Sequence, residues 1–252
     1  SALFHSPEEP LHQAQLNKIH RLIELAEISA DHHILEIGCG WGGFAVEAAK
    51  KTGCRVTGIT ISEEQFKLAK ERVAHEGLED LVEIVLRDYR QLSGSYDRIV
   101  SIEMLEAVGH AYYGTFFSTC DRLLKPGGRV VLQVITIPDQ RYQAYRRNPD
   151  WIQKHIFPGG MLPSLTELSK AMTTHSALVV EHLDNIGIDY AETLRRWRMA
   201  FDHHRSALIA MGYDETFQRK WIYYLCYCEA GFQKRFINDL HLVLMRPAEF
   251  SA

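Results

Sequence analysis

Ile34-Leu35-Glu36-Ile37-Gly38-Cys39-Gly40-Trp41-Gly42-Gly43 carries an apolar stretch, with an acid inside it, into a turn built on four glycines. Ile34 to Ile37 reads as a buried strand, and Phe44 to Lys51 behind the glycines as a helix. Glycines at 38 and 40 let the backbone turn sharply and approach a ligand with no Cβ in the way. A G-x-G pair by itself marks an ordinary tight turn equally well. Here four features coincide: a strand before it, an acid at the strand's end, a third glycine two residues on, and a helix opening behind.

Outward from this turn the chain alternates. Residues 11 to 29 have the spacing of an amphipathic helix, and Arg55 to Ile61 is a strand rich in β-branched residues. Ser62 before Glu63, Glu64 and Gln65 is an N-cap. Val82 to Leu86 and Tyr96 to Ile102 read as strands, and Tyr112 to Leu124 as a helix closed by Lys125-Pro126-Gly127-Gly128. Arg129 to Thr136, Ala177 to Leu183 and Leu240 to Met245 complete seven strands. The expected fold is α/β and Rossmann-like, a mostly parallel seven-stranded sheet with helices on both faces. One domain, 1–252, fits the length. Residues 138–176 and 187–238 are helical, aromatic-rich insertions placed where such folds build substrate pockets; most of their aromatics are expected to be packing.

The net charge of −4 gives no reason to expect nucleic acid. Basic residues cluster between Arg141 and Arg147 and at Arg195, Arg196 and Arg198, where a solvated helix face is the plainer reading. Five cysteines, at 39, 54, 120, 226 and 228, form no C-x-x-C pair, so reduced thiols in a cytoplasmic protein are expected rather than disulfides or a metal site. No apolar run reaches the ~18 residues that span a bilayer, and no signal peptide is visible. The chain opens at Ser1 without a methionine, which leaves removal of an upstream segment open.

An acid two residues before the first glycine suits a ligand bearing an ammonium group and repels a pyrophosphate. That points away from a dinucleotide and toward the amino acid end of S-adenosylmethionine. The second strand ends without the carboxylate that usually holds ribose hydroxyls. Gln65, one helical turn on, can serve through its amide, and Asp88 can accept a hydrogen bond from adenine or simply cap its own loop.

Six stretches resemble the cyclopropane-fatty-acid synthases: Leu35 to Gly43 (LEIGCGWGG), Val56 to Ser62 (VTGITIS), Tyr96 to Gly109 (YDRIVSIEMLEAVG), Ile156 to Ser164 (IFPGGMLPS), Asp189 to Trp197 (DYAETLRRW) and Tyr223 to Phe232 (YYLCYCEAGF). The first is shared with many methyltransferases; the fourth and sixth are far more particular. The resemblance implies a class I methyltransferase that adds the methyl carbon of S-adenosylmethionine to a cis double bond of a phospholipid acyl chain and closes a ring, with bicarbonate as base. It further implies donor contacts at Ser1, Ile34, Leu35, Glu36, Ile37, Gly38, Cys39, Gly40, Trp41, Gly42, Thr60, Ile61, Gln65, Asp88 and Tyr89. Glu106, the Ile135 backbone and Tyr190 match bicarbonate-holding positions, and Cys228 matches a cysteine assigned as catalytic, although a buried thiol without chemistry reads equally well. Gln133 stands where many members hold bicarbonate with histidine, Ser1 where they carry cysteine, and Ala107 where histidine often follows the glutamate. Peripheral contact with the inner membrane face is expected, through Arg141 to Arg147; a homodimer is left open. Competing readings are methyl or methylene branching, amine methylation, and a non-catalytic lipid- or cofactor-binding protein.

Overall fold

The computed structural model describes residues 1–248. Seven strands form one sheet: β1 (His33–Ile37), β2 (Arg55–Thr60), β3 (Val82–Leu86), β4 (Tyr96–Ile102), β5 (Leu124–Thr136), β6 (Val179–Asn185) and β7 (Asn238–Met245), in the spatial order β3-β2-β1-β4-β5-β7-β6. Neighbours pair in parallel except around β7, which runs antiparallel to both β5 and β6. The order reverses between β1 and β4, the place where open sheets of this kind form a crevice beyond their carboxyl ends.

Alternation along the strands divides the core. Ile34, Val56, Val100, Val131 and Val243 face α1 (Leu11–Leu25), α2 (Gly43–Thr52) and α3 (Glu63–His75). Leu35, Ile37, Ile99, Leu132 and Leu242 face α4 (Tyr113–Leu123) and α7 (Leu165–His175). Edge strand β6 is largely exposed and carries Glu181 and Asp184, charges that discourage further pairing.

Most boundaries fall within two residues of the sequence expectation, and two differ by more. Helix α1 stops at Leu25, and Glu27 takes φ 47°, so the amphipathic spacing to residue 29 overran the helix. Strand β5 begins at Leu124 rather than Arg129. Gly127 N–H donates to Arg246 O (2.9 Å) and Arg246 N–H to Gly128 O (3.0 Å), so the Pro-Gly-Gly segment is absorbed into pairing beside β7.

The insertions are helical as expected. The first holds α5 (Asp139–Arg147), α6 (Trp151–His155) and α7; the second holds α8 (Gly187–His203), α9 (Arg205–Ala210) and α10 (Glu215–Gln233). Helices α8 and α10 pack through Tyr190, Leu194, Leu225 and Phe232 into a separate small core. Arg195 and Arg196 pair with Glu192, and Arg198 with Glu229, so this basic run braces helices. No helix of the described residues is long and apolar enough to cross a membrane.

Candidate active site

The glycine turn hangs on the end of β2: the N–H groups of Gly38 and Cys39 both donate to Ile59 O, at 3.0 and 2.8 Å. Gly38 takes φ 82°, and a Cβ there would lie 2.8 Å from Met104 Cγ. Gly40, at φ 53°, faces open space, a cradle that a side chain would begin to fill. Glu36 lies buried beneath the turn and accepts from Ala45 N–H in the first turn of α2, while its Oε2 has no partner. Burial pushes this carboxyl up to about 8, with Lys18 and the Ala45 N–H opposing. A buried orphan oxygen at the mouth of an open backbone cradle fits a cationic hydrogen-bond donor such as an ammonium group.

Beside the turn Trp41, Ile61 and Leu86 stand exposed, Ile61 by 80%. These are apolar surfaces at the carboxyl ends of β1, β2 and β3, suited to the faces of a flat base. The Thr60 hydroxyl donates to Gln65 Oε1 (2.8 Å), which leaves the Gln65 amide nitrogen without a partner among the described residues. Ser62 caps α3 as expected, accepting from Gln65 N–H. Asp88 caps the short turn Tyr89–Gln91 and is gripped by the Arg90 guanidinium, which holds it below the usual carboxylate range.

On either side of Met104 the chain places two acids three residues apart. Glu106 accepts from Ile135 N–H at 2.5 Å, and its Oε2 is buried without a partner; burial pushes it up to about 8. Glu103 has φ 51°, unusual outside glycine, and its N–H donates to Gln133 O at 2.8 Å. Its carboxylate accepts from Tyr190 Oη–H (2.9 Å), Gln133 Nε2–H (2.8 Å) and Ser1 Oγ–H (3.0 Å). Tyr190 is fixed in turn by stacking on Phe232, with centroids 4.4 Å apart.

Strand register explains the rest of this cluster. Ile135 faces Asp239 and Gln133 faces His241 across the β5–β7 ladder, so alternation puts all four on one face, toward α1. Gln133 Nε2 also donates to Asp239 at 2.7 Å, and α1 contributes buried Lys18. Burial alone would raise the Glu103 carboxyl. Lys18 and the hydrogen bonds from Tyr190 and the Ser1 hydroxyl act against it and favour the ionised form. Asp239 goes the other way, raised by burial and then by the Glu103 charge, so one acid of the pair is ionised and the other carries a proton. Buried His241 is pushed down to about 4 by desolvation and stays neutral.

Glu103, Glu106 and Tyr190 open onto a cavity of about 1320 Å³. Ile135, Ile137, Ile152, Ile156, Leu162, Leu194, Trp197, Tyr224, Phe232 and Phe236 line it, drawn mainly from the two insertions. The space exceeds the roughly 300–1,000 Å³ of ordinary small-molecule pockets, which suits a long apolar chain. Arg141 also lines it, its guanidinium lying over the Phe236 ring at 4.4 Å. Cys228 is a lining residue whose thiol burial pushes up to about 12, so it offers no thiolate near neutral pH.

The structure therefore brings together Glu106, the Ile135 backbone, Tyr190 and Gln133, but not around a vacant anion site. Ile135 N–H is spent on Glu106; Tyr190 and Gln133 are spent on Glu103 and Asp239. Bicarbonate would add a further negative charge beside a partly buried carboxylate that already holds the donors, and the residues present do not fit it. Ser1 likewise turns its hydroxyl to Glu103 instead of to the glycine turn. Sequence reasoning missed Glu103, Asp239 and Lys18. The visible signal was the second acid of Glu103-Met104-Leu105-Glu106 inside a stretch read for its other glutamate.

Residues 1–242 match the family model described as mycolic acid cyclopropane synthetase. The tuberculostearic acid methyltransferase of Mycobacterium tuberculosis is 42% identical over 92% of this chain and 54% of its own length. The cyclopropane-fatty-acyl-phospholipid synthase of Escherichia coli K12 is 38% identical over 99% of this chain and 62% of its own length. The chain thus spans little more than half the length of these curated relatives. The mycolic acid cyclopropane synthase CmaA1, in a crystal structure with SAH and CTAB, superposes with a TM-score of 0.89 at 28% identity, covering 97% of this chain and 88% of that one.

Proposed function

The chain belongs to the mycolic acid cyclopropane synthetase family, and on that premise we propose that it transfers one carbon from S-adenosylmethionine to the cis double bond of an unsaturated fatty acyl chain carried on a phospholipid, forming a cyclopropane. The observation that carries this reading is the juxtaposition of Glu36 and the cavity. Gly38, two residues past Glu36, lies against Met104, and Met104 sits between two acids that line a large apolar space. A donor whose ammonium meets Glu36 Oε2 is thereby placed next to a hollow shaped for a lipid tail.

S-adenosylmethionine supplies an electrophilic methyl carbon when bound. What the chain contributes is orientation and dryness. Glu36, Gly40 and the Gln65 amide hold the donor's polar groups, and Ile61 and Leu86 cover its base. The insertions exclude water, which an alkene needs because it is a poor nucleophile and its cation is readily quenched. Tyr190, Trp197, Tyr224 and Phe232 surround that cation with aromatic rings. Arg141 over Phe236 is placed to meet a headgroup phosphate while the tail runs inward, which also calls for contact with a membrane surface.

One observation favours a second reading, methyl or methylene branching without ring closure. The base decides which proton leaves, and here the donors of the expected anion site are taken by the Glu103 carboxylate, whose position the chain itself fixes. Vesicles of unsaturated phospholipid incubated with protein and donor test both. A gain of one CH2 on the acyl chain is expected, with upfield proton signals for a ring or vinylic signals for a methylene branch. No gain on any unsaturated chain would reject the reading.

A further inference from the structure

We propose that the Glu103 carboxylate is itself the base of the reaction, receiving the proton that leaves the alkylated acyl chain in place of a dissolved anion. This rests on the one-carbon transfer proposed above. Three side chains converge on Glu103, from the amino-terminal segment, β5 and α8, and donate to both of its oxygens. Its backbone takes φ 51° to aim the side chain there, a conformation that costs free energy and persists where surrounding contacts impose it. It opens onto the cavity beside Glu106. Lys18 supplies a buried positive charge from α1.

The other candidates are already committed. Glu106 carries its own proton near neutral pH and accepts from Ile135 N–H. Asp239 is protonated beside Glu103, the Cys228 thiol stays protonated, and His241 does not line the cavity. An ionised carboxylate inside a dry apolar space is also the group best able to stabilise a cation formed there.

The atoms balance. The alkene π pair forms the new bond to the methyl carbon as the sulfur–carbon bond breaks, its pair staying on sulfur, and a carbocation remains on the chain. A C–H bond then breaks; its pair closes the ring or forms a new double bond, and its proton goes to a Glu103 oxygen. Deprotonation to solvent after product leaves resets the site. No oxidant or further reactant is needed.

The test uses this chain in buffer purged of carbon dioxide, with Glu103→Gly and Glu103→Gln beside it. Glycine adopts φ 51° freely, so Glu103→Gly keeps the backbone while freeing the Tyr190 and Gln133 donors. Wild-type turnover is expected to be unchanged by the purge. Both variants should lose about 100-fold or more, the usual share of a positioned base, with donor affinity held within about threefold. Formate or bicarbonate should restore part of the Glu103→Gly turnover, and 13C NMR should detect bound [13C]bicarbonate with Glu103→Gly only. A wild-type requirement for bicarbonate, near-normal turnover of either variant in purged buffer, or labelled bicarbonate bound by the wild type would overturn the assignment. If the wild type alkylates no unsaturated lipid, the one-carbon reading falls instead, and the NMR titration still decides whether Glu103 fills the anion site.

Discussion

Lowering the pH, or substituting Glu36→Gln, withdraws the carboxylate on which donor binding depends, and the structure sets the size of the effect. Carrying a carboxyl from its ordinary 4.5 to about 8 corresponds to about 5 kcal/mol in favour of the neutral form. In the free protein at pH 7, Glu36 is then roughly nine-tenths protonated, and a bound ammonium requires it to ionise. With the donor's own α-amine counted, binding should release about 0.8 proton at pH 7 and take up about 0.8 at pH 9, and affinity should fall about 20-fold between pH 8 and pH 6. The donor's own α-amine, at about 7.7–8.0, loses its charge on the alkaline side, so affinity peaks near pH 8. Glu36→Gln should weaken binding about 10- to 100-fold at pH 8, the difference between a charge-assisted and a neutral hydrogen bond, and abolish the acid limb. Calorimetry in two buffers of different ionisation enthalpy reads the proton count directly. No proton release at pH 7, or an acid limb that survives in Glu36→Gln, would refute the reasoning.

The same burial shapes stability. Glu36 and Glu106 both keep their protons to about 8 when folded and lose them near 4.5 when unfolded. The folded state therefore binds more protons across that window, and urea stability of the donor-free protein should decline as pH rises from 5 to 8, by up to several kcal/mol. Glu106→Gln should flatten part of that decline. Gly38→Ala should lower the melting temperature and weaken donor binding at least tenfold, since alanine resists φ 82° and its Cβ meets Met104 Cγ. Gly127→Ala, at φ 75° in open space, is the comparison that carries the backbone cost alone. Cys228→Ala should hold kcat within about threefold, because a thiol pushed up to about 12 supplies no thiolate; a loss of 100-fold would restore it as a catalytic group.

Much of this was legible in the chain because local and global signals agree there. Glu36, Gly38 and Gly40 sit at a strand end where the backbone itself demands glycine, and periodicity alone placed the seven strands to within a few residues. Ser62 declared a helix start by its own chemistry and caps α3 as read. The surroundings of Gln133 and Tyr190 were less legible, for a physical reason. Whether Gln133 and Tyr190 face a free ion or a carboxylate depends on which way Glu103 points, and that follows from a positive φ and from pairing between β5 and β7, neither of which leaves a periodic mark. Asp239 and Lys18 meet Glu103 from positions 136 residues later and 85 residues earlier, a distance that only the folded sheet closes. Asp88 shows a milder version: its place at the strand end was correct, but the Arg90 two residues on was not weighed as its partner.

A crystal structure of the chain with S-adenosylhomocysteine and an unsaturated phospholipid tests the central claim most directly. The homocysteine ammonium should lie on Glu36 Oε2, and the acyl tail should thread the cavity past Glu103. A nucleoside seated away from the Gly38–Gly40 turn, or a cavity closed by side chains with the lipid elsewhere, would contradict it.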